Sequence, residues 1–155
     1  RILLEDNERV ILIRADLAEP ETILNHQDVV RLLDFGRPIA LTINAVLHYL
    51  VDTEQAQAAV RALVDALEPG SYVAISHMSY EGGSEEMLER ADQLFQAAAN
   101  TTVRSREEIH RFFDGLELVE PGLVRGPLWR PEGPDDVLID HPNHYLGFVG
   151  VGRKF

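Results

Sequence analysis

Two rhythms of apolar and polar positions run along this chain. "VILIRADL" (10–17) is short, β-branched and continuous, which predicts a strand buried on both faces. "PETILNHQDVVRLLD" (20–34) follows with Ile23, Leu24, Val30 and Leu33 at helical spacing, and Pro20 suits a first helical turn. "RPIALTINAV" (37–46) predicts a second buried strand. "DTEQAQAAVRALVDAL" (52–67) predicts a helix with Ala56, Ala59, Val60, Leu63, Val64 and Leu67 on one face. Asp52 with Gln55 resembles a capping box there, and Pro69-Gly70 stops the helix. "SYVAISH" (71–77) predicts a third strand.

Beyond Gly82-Gly83 the helical period returns in "SEEMLERADQLFQAAA" (84–99), with Ser84 as its cap and Met87, Leu88, Ala91, Leu94, Phe95 and Ala98 inward. "SREEIHRFFDG" (105–115) pairs Ser105 with Glu108 as a capping box and ends at Gly115. "LELVEPGLV" (116–124) and "HYLGFVGVGRK" (144–154) predict two last strands, joined by the Pro- and Gly-rich loop that holds Trp129. Strand-helix alternation argues for an α/β protein with a parallel sheet, and the last two strands for an antiparallel pair at its edge.

Polar residues interrupt the apolar runs at revealing places. "ALTINAVLHYLVD" (40–52) is almost wholly apolar, yet contains Asn44 and His48. An unpaired polar group buried in a core is costly. In open α/β sheets ligands sit outside the carboxyl ends of the strands. That rule selects Asp16-Leu17, Asn44 to His48, and Ser76-His77-Met78. Each also has a plainer reading. Asp16 can cap the next helix or accept from an exocyclic amine. Asn44 can tie down its own loop, and His48 and His77 can be core histidines satisfied by backbone carbonyls.

Other patterns carry less. His141 and His144 flank Pro142 with Asp140 adjacent, but no third histidine stands at a fixed spacing, so no metal is expected. Ser76-His77 lacks a G-x-S-x-G elbow. "GFVGVG" lies in a strand with no helix after it, so it is no phosphate loop.

Composition narrows the classes. The 155 residues fit one domain, and 45% hydrophobic with 26% charged content is ordinary for a globular chain. No cysteine is present, which removes disulfides and thiolate chemistry and suits a cytoplasmic setting. The net charge is −12 without a basic cluster, so neither nucleic acid nor an anionic membrane is an expected partner. The chain opens "RILLEDNERV", where Ile2, Leu3 and Leu4 read as the tail of a helix that begins further upstream.

"ADLAEPETIL", "RPIALTINAVLHYL", "LVDALEPGSYVAISH", "SREEIHRFFDGLELVEPGLV" and the terminal "GVGRK", in this order, resemble a bacterial family of S-adenosylmethionine-dependent methyltransferases with a Rossmann-like fold. The resemblance implies that residues 1–155 are the later part of a single methyltransferase domain, lacking the first two sheet strands. It also implies a strand order of third, second, first, fourth, fifth, seventh, sixth, so that "VILIRADL" has no neighbour and "RPIALTINAV" has a bare edge. An upstream segment or a second chain is then expected to complete the sheet. The family's glycine-rich loop and its ribose-binding acid are absent from these residues.

By the same resemblance, Asp16 meets the adenine amine and Leu17 packs on the ring, while Asn44, Ala45 and Val46, with Tyr49 beside them, line the methionine half of S-adenosylmethionine. His48 and His77 are the candidate bases, because an imidazole titrates near neutral pH. Helical residues in 79–104 and the Trp129 loop are expected to cover the acceptor side, and the acceptor is expected to be a small molecule. Two rivals stand beside methyl transfer: a non-catalytic cofactor-binding or regulatory protein, and an inactive fragment.

Overall fold

A computed structural model describes residues 7–95 and 101–155. The helix tail expected at residues 2–4 and the end of the 84–99 helix from residue 96 on, Ala98 included, lie outside the described residues, as do the side chains of Leu94 and Phe95. Five strands form one open sheet: β1 (Ala40–Asn44), β2 (Tyr72–Met78), β3 (Glu117–Leu118), β4 (Val124–Arg125) and β5 (Gly147–Arg153). Their order is β1-β2-β5-β3, with β4 also paired to β5. This is the order expected for the family's fourth, fifth, seventh and sixth strands.

Only β1 and β2 are parallel, in register from Ala40 with Tyr72 to Asn44 with Ser76. A parallel pair needs a crossover, and the helix α3 (Thr53–Asp65) supplies it. β5 runs antiparallel to β2 and to both β3 and β4. The sheet is therefore mostly antiparallel rather than parallel, with the final strand pairing as expected.

The core occupies one face of the sheet. Ile43, Val73, Ile75 and Phe148 point into it and meet Ala56, Val60, Leu63 and Val64 of α3. Ile109 of α5 (Arg106–His110) and Phe112 and Phe113 of the 3-10 turn after it complete the layer. Asp52 caps α3 by accepting from the Gln55 N–H. The Ser105–Glu108 capping box forms at α5 as read, and Gly115 beyond it takes φ +82°, a value that favours glycine.

The terminal "GRK" has a structural use. Lys154 Nζ donates to the carbonyls of Val64, Asp65 and Leu67 at 2.9, 3.2 and 2.7 Å, satisfying the last turn of α3. The glycines of β5 leave room for aromatic and aliphatic side chains: a Cβ on Gly152 would lie 2.8 Å from Leu116 Cδ1 and 3.1 Å from Phe113 Cδ1.

Three expectations are corrected. Residues 10–17 form no strand: they pair with nothing in the sheet, and Leu12 is 90% exposed. A strand exists only with a neighbour to bond, and β1 pairs with β2 instead. The 20–34 segment is two short helices, α1 (Pro20–Leu24) and α2 (Gln27–Leu32). His26 makes the break, its Nδ1 accepting from the Asp28 N–H at the start of α2. Ser84 does not cap α4 (Glu85–Phe95) with its side chain, for its hydroxyl is buried without a partner among the described residues.

Candidate functional site

The parallel ladder ends abruptly at β1. Ala45 takes φ +49°, and its N–H donates to both Ser76 O (3.2 Å) and Ser76 Oγ (3.0 Å). A non-glycine residue in this conformation is uncommon. It swings the chain away from the sheet into the 3-10 turn Leu47–Tyr49. Within that turn the side chains divide. Leu47 and His48 go inward, fully and 95% buried, while Val46 and Tyr49 stay exposed.

The outward side of the turn faces residues 14–18. Arg14, Ala15, Asp16, Leu17 and Ala18 on one wall, and Val46, Tyr49 and Leu50 on the other, enclose a cleft of about 750 Å³. Of the six residues assigned to the cofactor by resemblance, the cleft brings together Asp16, Leu17, Val46 and Tyr49. Asp16 partly takes its plainer role: Oδ1 accepts from Ala18 N–H at 2.9 Å and holds a tight turn. Its other oxygen has no hydrogen bond among the described residues. Asn44 and Ala45 are not in that cleft. The exposed Asn44 instead borders a separate hollow of about 300 Å³ with Ala74, Ser76, Val149 and Trp129 on the other face of the sheet.

The two histidines stand behind the cleft wall, their rings 5.9 Å apart and edge to face. His77, 3% exposed, is fully engaged: Nδ1–H donates to Met78 O at 2.7 Å and Nε2 accepts from Arg104 at 2.8 Å. That pattern fits the neutral tautomer with its proton on Nδ1. Burial pushes the His77 pKa down to about 4; the Met78 bond opposes this, and the charges of Arg104 and His48 add to it. His77 therefore has no free nitrogen to accept a proton, which weighs against its role as a base. His48 differs. Its Nδ1 is buried with no partner among the described residues, and burial, then Arg104, lower its pKa.

No sequence pattern singles out Arg104, Arg14 or Leu50. Arg104 sits in "TTVRS", a polar stretch with no periodicity, so nothing in the pattern marks it as the largest fully buried side chain among the described residues. Arg14 and Leu50 flank residues that were read, and only the fold shows them facing one cleft. Among the described residues no group of three or more His, Asp or Glu is placed to hold a metal, and no helix is long and apolar enough to cross a membrane.

A sheet in this strand order, with a cleft beyond the carboxyl end of a parallel strand, defines a Rossmann-like ligand-binding domain of the methyltransferase class. The chain belongs to the S-adenosyl methyltransferase family, whose model matches residues 1–155. S-adenosylmethionine is that family's cofactor. The chain is 39% identical to a candidate methyltransferase from Thermobifida fusca YX, with a TM-score of 0.84, covering 99% of this chain and 57% of that one. It is 33% identical to a DUF574 family protein from Streptomyces avermitilis MA-4680, with a TM-score of 0.79, covering 92% and 54%. A SAM-dependent methyltransferase from Methanosarcina mazei, 14% identical over 79% of this chain and 61% of that one, shares the fold at a TM-score of 0.51. The chain thus spans a little over half the length of the first two of these structures. No curated protein matches it.

Proposed function

We propose that the Asp16–Tyr49 cleft is one half of an S-adenosylmethionine site, and that the protein transfers a methyl group to a small-molecule acceptor. The observation that carries this is the convergence of the 14–18 turn and the β1 exit turn on one cleft of about 750 Å³. The residues fit a flat, amine-bearing ring. Asp16 offers an unoccupied carboxylate oxygen, and Leu17, Val46 and Tyr49 offer apolar surface around it. Asn44 and Ala45, at the strand end, belong to the same proposal as the approach to the methionine half.

The cofactor supplies a methyl group already activated on a sulfonium, so the protein's work is chiefly orientation and exclusion of water. His48, whose Nδ1 has no partner among the described residues and whose pKa burial lowers, is the residue proposed to take a proton from the acceptor. The net charge of −12 favours a small acceptor over a nucleic acid. Beyond Asn44, the outer edge of β1 pairs with no strand among the described residues. We propose that a preceding segment or a second chain completes the sheet there, since a bare edge invites pairing.

Calorimetry with S-adenosylhomocysteine on the protein that carries this chain tests the reading. Saturable one-to-one binding, weakened at least tenfold by Asp16→Ala, is expected, and absence of binding by the unaltered protein would sink it. Turnover that survives His48→Ala would remove His48 as the base. Binding without turnover of any small acceptor would leave the regulatory reading in its place.

A further inference from the structure

Arg104 is 1% exposed, yet no carboxylate among the described residues forms an ion pair with it. Burying a cation without an ion-pair partner is costly unless its donors are all matched. Here they nearly are. Nε donates to Thr53 Oγ1 (3.2 Å), one terminal nitrogen to Leu47 O (2.9 Å) and His77 Nε2 (2.8 Å), and the other to Leu50 O (2.6 Å). Four of the five guanidinium N–H groups are thereby used. The guanidinium also lies 5.5 Å from the Phe112 ring centroid, and Asp52 and Glu108 stabilise its charge from a distance.

The destinations of these bonds are informative. Leu47 and Leu50 bracket the 3-10 turn, Thr53 opens α3, and His77 lies at the end of β2. One side chain thus ties the turn after β1 to the end of the neighbouring strand and to the crossover helix. The outer surface of that turn is the Val46–Tyr49–Leu50 wall of the cleft. A backbone that has just passed through the left-handed region at Ala45 needs such support to hold one shape.

We infer that Arg104 is a positioning residue for the cofactor cleft, its guanidinium holding the 46–50 turn at the height and orientation that oppose Asp16 and Leu17. It touches no reacting atom and acts through the Leu47 and Leu50 carbonyls. His77 serves it as a neutral acceptor, which accounts for a buried histidine whose two nitrogens are both committed. The inference rests on the cofactor reading above for its function, and on the hydrogen bonds alone for its mechanism.

Two readouts separate these. In the full protein, Arg104→Lys keeps the charge but not the planar fork. Hydrogen exchange of the Tyr49 and Leu50 amides, which close the turn onto Val46 O and Leu47 O, should accelerate at least tenfold more than exchange in β2 and β5. S-adenosylhomocysteine affinity should fall about tenfold. Lys154→Met, which uncaps the far end of α3, is the control for general destabilisation and should leave both unchanged. Thr53→Val, which removes one guanidinium partner, should move both readouts twofold to threefold, and it carries the test if Arg104→Lys does not fold. Uniform acceleration of exchange, equal loss of affinity in Lys154→Met, or unchanged affinity with a loosened turn would each overturn the inference. An unaltered protein that binds no S-adenosylhomocysteine would instead overturn the cofactor reading, with the exchange pattern still judging the clamp.

Discussion

The runs "VILIRADL" and "GFVGVGR" read alike in the sequence, and the fold treats them oppositely. The second becomes β5, bonded along one side to β2 and along the other to β3 and β4. The first, at residues 10–17, pairs with no strand and leaves Leu12 90% exposed. Apolar β-branched residues favour a strand only where neighbours can accept their backbone bonds and cover their side chains. The contrast extends to polar groups. At the centre, His77 of β2 has every nitrogen committed. At the periphery, Asp16 keeps an oxygen open to a cleft. In this pair the central group holds the structure, and the peripheral one remains available to a ligand.

Acid breaks the centre most strongly. His77 is neutral when folded, with Arg104, His48 and Glu108 as the charged or titratable groups that act on it. Its pKa falls from 6.5 to about 4 on folding, so between those values the unfolded chain binds more protons. Its contribution is complete above pH 6.5 and is lost progressively as pH falls toward 4. At most this is roughly 3 kcal/mol. Urea unfolding of the unaltered protein and of His77→Gln across that range checks it. The stability difference between the two should shrink as pH falls, and parallel pH curves would refute the assignment.

Crowding the centre comes next. Gly152→Val places its Cβ within 2.8 Å of Leu116 and 3.1 Å of Phe113, on the side of β5 that carries the core. Overpacking of this kind costs about 2 kcal/mol. The urea midpoint should drop with an unchanged slope, and a neutral outcome would mean that the aromatic layer can yield.

Much of this was legible beforehand, for identifiable reasons. The inward face of α3 and the Ser105–Glu108 capping box depend on short-range spacing, and both form as read. The strand order followed from the family resemblance. What escaped depended on distant partners. Whether 10–17 is a strand depends on what lies beside it. The break at His26 turns on one imidazole accepting one amide. Of the site, the resemblance assigns Asp16 and Leu17 to the adenine and Asn44, Ala45, Val46 and Tyr49 to the methionine half, whereas the fold puts Asp16, Leu17, Val46 and Tyr49 around one cleft and Asn44 beside a different hollow. Arg104 was invisible because burial of an arginine leaves no periodic trace. Two of its four partners are backbone carbonyls, which every residue carries.

The smallest effect tests the comparison at its periphery. Leu12 makes no buried contact, so Leu12→Asn should change the stability of residues 1–155 by less than about 0.5 kcal/mol. The proposal that added strands complete the sheet gives the same substitution a second meaning. Once residues 10–17 have a neighbour, a polar amide in their middle is buried without a partner and costs about 2 kcal/mol. Thermal unfolding of Leu12→Asn in residues 1–155 and in a longer protein containing them distinguishes the two situations. A penalty only in the longer protein supports the view that "VILIRADL" is a strand awaiting its neighbours. Equal, negligible effects in both would mean that this run is a surface segment in every context, and that its likeness to "GFVGVGR" ends at the sequence.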